Sequence, residues 1–169
     1  MSRERVAFEL EANLGVLTYL AEPRRLARSV SAAKDRRECA PEDIEDVYLT
    51  LGAHPDLVER FWNELPMRLS EDCRWIVYGT PALVHPKTGV VFGFGGGTHT
   101  YALRLAPAMR RAASADGAVT SCDYPAYPDL GISASRLDLA AIGPEWIFGG
   151  WHRGEQDWCL SAYEFAGDV

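Results

Sequence analysis

The stretch Gly89–Leu105, GVVFGFGGGTHTYALRL, decides how this chain is read. A glycine-rich tract between apolar runs opens either a phosphate-binding loop or a turn between strands. A phosphate loop needs a lysine and a helix after it, so that backbone N–H groups and an ammonium surround the anion. GFGGGTHTY has no lysine. The dinucleotide fingerprint needs glycine at the first, third and sixth positions, and the sixth position counted from Gly93 is Thr98. The residues after the glycines alternate as a strand does. His99, Tyr101, Leu103 and Leu105 share one face, and Thr98, Thr100 and Arg104 share the other. The tract is therefore expected to join two antiparallel strands and to bind no nucleotide. Gly95, Gly96 and Gly97 are expected to take positive φ or to let another backbone come close.

Outward from this stretch, CRWIVYG, ALVH, GVVFGF and HTYALRL are short, rich in Val, Ile, Tyr and Phe, and separated by GTP, HPKTG and GGG. Those separators are turn signals at hairpin spacing, so an antiparallel meander is expected from Cys73 to Leu105. Upstream the period is helical. Residues 3–20 carry a stripe of Val6, Leu10, Leu14, Leu17 and Leu20, with Phe8, Ala12, Gly15 and Tyr19 on the opposite side. APEDIEDVYLTLG and HPDLVERFWNELP read as two further helices, each with proline in the first turn. Between them and the first helix lies a basic segment, EPRRLARSVSAAKDRR, that reads as a solvated helix face.

Downstream, APAMRRAASADG reads as a helix, residues 118–137 as an ordered surface loop, and PEWIFGGW as a strand. EQDWCLSAYEFAG fits both periods; its Trp, Cys, Tyr and Phe favour a strand. The expected fold class is α+β: an N-terminal helical layer (1–66), then an antiparallel sheet with one or two packed helices (67–169), all in one globular domain.

The formal net charge of −7 and pI of about 5.1 argue against nucleic acid or an anionic membrane as a partner. The charge is uneven: residues 1–37 carry a net +3 and the remainder −10, which draws a partner with a basic surface to the later part of the chain. No apolar run reaches the roughly 18 residues of a membrane span. LGVLTYLA, with Glu9 and Glu11 before it, does not read as a secretion signal. Cys39, Cys73, Cys122 and Cys159 are too dispersed for a zinc site or a disulfide framework. Reduced thiols, no structural metal, no cofactor and a cytoplasmic location are expected.

Two clusters could carry chemistry. His99 titrates near neutrality and suits a general base if a carboxylate orients it. GGWHRGEQDW brings His152, Glu155 and Asp157 within six residues, a set that could act as an acid–base pair or as metal ligands. Its Trp151, His152, Arg153 and Trp158 also resemble the composition of a binding hot spot. SAAK at Ser31–Lys34 lacks the companion motifs of serine–lysine enzymes, and no Gly-x-Ser-x-Gly elbow occurs. The pattern therefore favours a non-enzymatic protein-binding module: an inhibitor, immunity-type or adaptor protein. The rival is a small hydrolase or metal-assisted enzyme using His99, His152, Glu155 and Asp157. Phe8 and Tyr19, facing away from the leucine stripe with Gly15 between them, are expected to form a contact surface. A homodimer through the first helix is its simplest form, with packing inside the chain as the alternative.

Overall fold

The computed structural model describes residues 4–22, 36–47, 53–96, 100–124, 126, 128–130, 135–150 and 153–169, with the backbone alone for Cys122, Tyr124, Leu130, Ser135 and Leu137. The described elements are α1 (Glu11–Leu20), β1 (Glu38–Cys39), α2 (Pro55–Asn63), β2 (Arg74–Val77), β3 (Thr80–Val84), β4 (Val91–Gly96), β5 (Thr100–Arg104), α3 (Pro107–Ala115), β6 (Ser121–Tyr124), β7 (Ser135–Asp138), β8 (Trp146–Gly149) and α4 (Glu155–Gly167). Six strands form one antiparallel sheet in the order β1-β2-β3-β4-β5-β8, and β6 pairs with β7 as a separate hairpin. The fold is α+β, with the expected meander over β2–β5.

Helices cover both faces of the sheet, which explains the near-continuous apolar runs of its strands. On one face α1 and the turn after β7 pack on Trp75, Val84, Phe94, Trp146 and Phe148. On the other, α2 and α4 pack on Ile76, Leu83, Tyr101, Leu103 and Ile147. Alternation sends Tyr101, Leu103 and Leu105 to this second face, as the sequence pattern requires. The turn between β2 and β3 is two residues long, and both Tyr78 (φ 47°) and Gly79 (φ 75°) are left-handed, as the tightest hairpins demand.

Several expectations are corrected. Helix α1 begins at Glu11, not near residue 3. The backbone N–H groups of Arg5 and Val6 donate to Glu38 Oε2 (3.1 and 2.9 Å), and that of Ala7 donates to Gly89 O (3.0 Å), so this lead is held out of the helix by distant partners. Within α1 the buried face is Asn13, Val16, Leu17 and Leu20, and Leu14 is 51% exposed. The acidic segment after Ala40 makes a 3-10 turn over Pro41–Asp43 and is already extended at Ile44; Asp43 bonds back to the Ala40 N–H as at a helix start, yet the turn is not continued, while 48–52 lies outside the described residues. Strand β1 interrupts the helical N-terminal part. Residues 118–137 contain the β6–β7 hairpin, not only loop. Gly95 and Gly96 are strand residues paired with Tyr101 and Thr100, without positive φ; Gly97 lies outside the described residues. The last segment is helix α4, not a strand. Its buried Trp158, Cys159, Ala162 and Ala166 recur at helical spacing, so packing on the sheet overrides the strand preference of its aromatics.

The β3–β4 loop joins the two layers. Asn13, fully buried, donates from Nδ2 to Ala7 O (2.8 Å) and Gly89 O (2.9 Å), and accepts at Oδ1 from Val91 N (2.9 Å). On the other side Thr88 Oγ1 donates to Ala166 O of α4 (2.9 Å), and the His85 ring stacks on Tyr163 (4.5 Å between centroids). His85 Nδ1 accepts from the N–H groups of Lys87 and Thr88 (3.2 Å each), so it carries no proton there. Burial, reinforced by the Lys87 charge, lowers the His85 pKa below its ordinary 6.5. A group with a lowered folded pKa stabilises the fold fully above its unfolded pKa and loses that contribution as pH falls through the window beneath it. Stability is expected to be flat just above pH 6.5 and to decline below it, and His85→Asn, which keeps an acceptor in place, should flatten the decline. Denaturant midpoints measured across that range check this; an unchanged pH slope in the variant would contradict it.

Candidate functional site

The glycine tract is explained by packing. Gly93 and Gly95 lie two apart and carry no side chain toward the α2 side of β4, with Gly93 against Leu83 and Leu103. A β-carbon at Gly95 would already touch Phe61 Cγ of α2 at 3.4 Å and Pro81 Cγ at 3.5 Å. Between them Phe94 points to the opposite face, where its ring meets Tyr19 and Trp146 (5.5 Å each). Across β5, a β-carbon at Gly149 would sit 2.6 Å from the Tyr101 hydroxyl. Bare strand positions here seat aromatic rings.

At this end of the sheet Thr100 pairs with Gly96 and Tyr101 with Gly149, so the strands leading into the two sequence clusters end side by side. His99, Trp151 and His152 lie outside the described residues. The two carboxylates of the cluster have structural partners. Glu155 Oε2 accepts from the buried Tyr101 hydroxyl (2.8 Å), and burial together with that carboxylate pushes the phenol pKa far up, so Tyr101 is a donor at any physiological pH. Asp157 forms an exposed ion pair with Arg68, and Gln156 Nε2 donates to Glu64 O (3.1 Å). These bonds latch the start of α4 to the chain just after α2. Trp158 is 3% exposed and belongs to the core, whereas Arg153 is exposed.

Phe8 and Tyr19 are half-buried. The Arg37 guanidinium lies over the Phe8 ring at 3.8 Å, and Tyr19 packs on Phe94. A β-carbon at Gly15 would meet Ile142 O at 1.9 Å, so this glycine serves a close contact inside the chain. Cys39, Cys73 and Cys159 are buried free thiols; burial pushes Cys73 up to about 11 and raises Cys159 as well. None is set up as a thiolate at neutral pH. Among the described residues no group of three His, Cys, Asp or Glu side chains is placed to hold a metal ion, and no helix is long and apolar enough to cross a membrane.

A second place was not singled out by sequence. Beside the β1–β2 edge runs an open groove of about 550 Å³, with the carboxylates of Glu42, Glu45, Asp46, Glu71 and Asp72 along it. Trp75, Ile44 and Val47 supply apolar wall. Its two cations are already engaged: Arg74 pairs with Glu71 (3.0 Å) and bonds Asn63 Oδ1 (3.0 Å), while Arg5 donates to Asp72 O and lies over the Trp75 ring (4.4 Å). Glu38 fixes this arrangement through Trp75 Nε1 (2.9 Å) and the Arg5 and Val6 amides. The signal in the sequence is split between two short acidic runs about 25 residues apart, PEDIED and SEDC.

Replacing Tyr101 by Phe removes the donor to Glu155 and is expected to cost about 1–2 kcal/mol in denaturant unfolding. Asp157→Asn breaks only an exposed pair and should change stability by less than about 0.5 kcal/mol. Equal losses in both variants would contradict this division of roles.

In comparisons with protein families, curated proteins and solved structures, the chain matches none at a significant level.

Proposed function

We propose that this protein is a non-enzymatic binding module, of the inhibitor, immunity or adaptor type, whose partner presents a basic surface to the groove beside β1 and β2. The observation that supports this reading is the groove's composition. Five carboxylates and two guanidiniums border it, an acidic excess, with Glu71 and Arg74 paired to each other and Arg5 held by the Asp72 carbonyl and the Trp75 ring. Glu42, Glu45 and Asp46 are exposed, so their charge acts through solvent on an approaching partner. The half of the reading that concerns chemistry rests on engagement. Glu155 and Asp157, the carboxylates of the rival enzyme reading, are tied to Tyr101 and Arg68.

The test is a partner recovered with the wild-type protein as bait, purified and titrated against variants. Glu42→Lys with Glu45→Lys should weaken binding about tenfold or more, roughly 1.4 kcal/mol or above, and wild-type affinity should fall steeply with salt. Glu164→Lys, an exposed charge on α4, should leave affinity unchanged. Equal affinity of the groove variant and the wild type would mean that the groove takes no part in binding.

A further inference from the structure

Arg104, the last residue of β5, is the most anomalous side chain among the described residues. It is 6% exposed, and its Nε and Nη1 are buried with no hydrogen-bond partner among those residues. Its guanidinium lies over the Phe165 ring of α4 at 4.2 Å. Its cross-strand neighbour is Trp146, which is 2% exposed, and the chain next to it is fixed by the Leu105 N–H donating to Glu145 O (2.8 Å). Desolvation lowers the Arg104 pKa and the Glu145 charge opposes that shift, but no carboxylate of the described residues forms an ion pair with it. Arginine stays charged in proteins, so the fold keeps a cation largely out of water with two of its three nitrogens unpartnered among the described residues. Leaving such groups unpaired is costly, so the retention of this one calls for an explanation.

We propose that Arg104 anchors a binding site for a small monocarboxylate, whose two oxygens are taken by the edge of the guanidinium. The choice of ligand rests on three features. The ring of Phe165 covers a face of the guanidinium, leaving its edges, and either edge, Nε with Nη2 or Nη1 with Nη2, matches a carboxylate in two parallel bonds. The site supplies one positive charge with Glu145 as a neighbouring opposite charge, a balance that matches a monoanion better than a phosphate dianion. The surroundings, Phe165 and Trp146, are aromatic, which suits an apolar remainder on the acid. Phe165 is half-buried, and binding requires its ring to move for an oxygen to reach the sealed nitrogens. The site is on β5, three strands from β2, and is independent of the acidic groove.

The experiment is thermal unfolding of the full chain in sodium acetate, sodium phosphate and sodium chloride at matched pH and ionic strength, with side-chain NMR of the Arg104 Nε–H as a second readout. Acetate should raise the melting temperature saturably and shift the Nε–H resonance with the same midpoint; phosphate and chloride should do neither. Arg104→Met should fold, should be at least as stable as the wild type without ligand, and should lose the acetate response; Arg104→Lys, which keeps charge without the fork, should retain only a small part of it. If all three salts act alike, or if acetate acts equally on wild type and Arg104→Met, only an adventitious ion is present and the proposal is overturned. An acetate titration that leaves the wild-type Nε–H unmoved overturns it too, whether or not the variants fold.

Discussion

Everything in this fold leans on the carboxamide of Asn13. It makes three hydrogen bonds in a fully buried position, to the lead at Ala7, to the β3–β4 loop at Gly89 and to the start of β4 at Val91. Apolar burial holds α1 on the sheet but is non-directional and does not choose a register. Each bond here contributes only about 1 kcal/mol net, yet an unfilled Val91 N–H would cost more, so one rotation and height of α1 satisfies the set. The same loop reaches across to α4 through Thr88 and His85. The two helical layers are thus registered to one another through the loop 85–90.

Packing adds a second constraint, the pairing of large rings with bare backbone. Phe61 lies on Gly95 and Tyr101 lies across Gly149, and the turn at Ile142 comes against Gly15. The first brings α2 closer to the sheet than side chains on both surfaces would permit, and the last does the same for α1 and the turn at Ile142. Gly15 had the pattern of a small residue in a helix–helix interface; its close neighbour is the carbonyl of Ile142, so this residue no longer argues for a second copy of the chain. Tyr101 links this packing to charge, because seating its ring over Gly149 brings the hydroxyl to Glu155 at the start of α4.

The strands were legible because alternation and turn residues are local properties: Tyr101, Leu103 and Leu105 face one way in sequence and in space. Helix α2 was legible for the same reason, with Leu57, Phe61 and Leu65 all buried. What escaped depends on distant partners. Val6 and Leu10 fit the stripe of a longer first helix, but Glu38 and Gly89 claim the backbone of residues 5–7. A polar Asn13 at the head of a buried face is read as surface until its three partners are known. Helix α4 has residues that prefer strands, and only the sheet beneath it decides the period. The groove joins two acidic runs that meet through the pairing of β1 with β2. The unpaired state of Arg104 is likewise invisible in a strand that reads as ordinary alternation.

Native-state hydrogen exchange at the Val91 amide tests the central role of Asn13 most directly, because that N–H has Asn13 Oδ1 as its acceptor. With Asn13 in that role, Val91 should exchange only through global unfolding, with an opening free energy equal to that from denaturant, and in Asn13→Ala its protection should fall together with that of the α1 amides. If Val91 in the wild type opens well below the global free energy, or keeps full protection in Asn13→Ala, then Asn13 does not join α1 to the sheet in the way described.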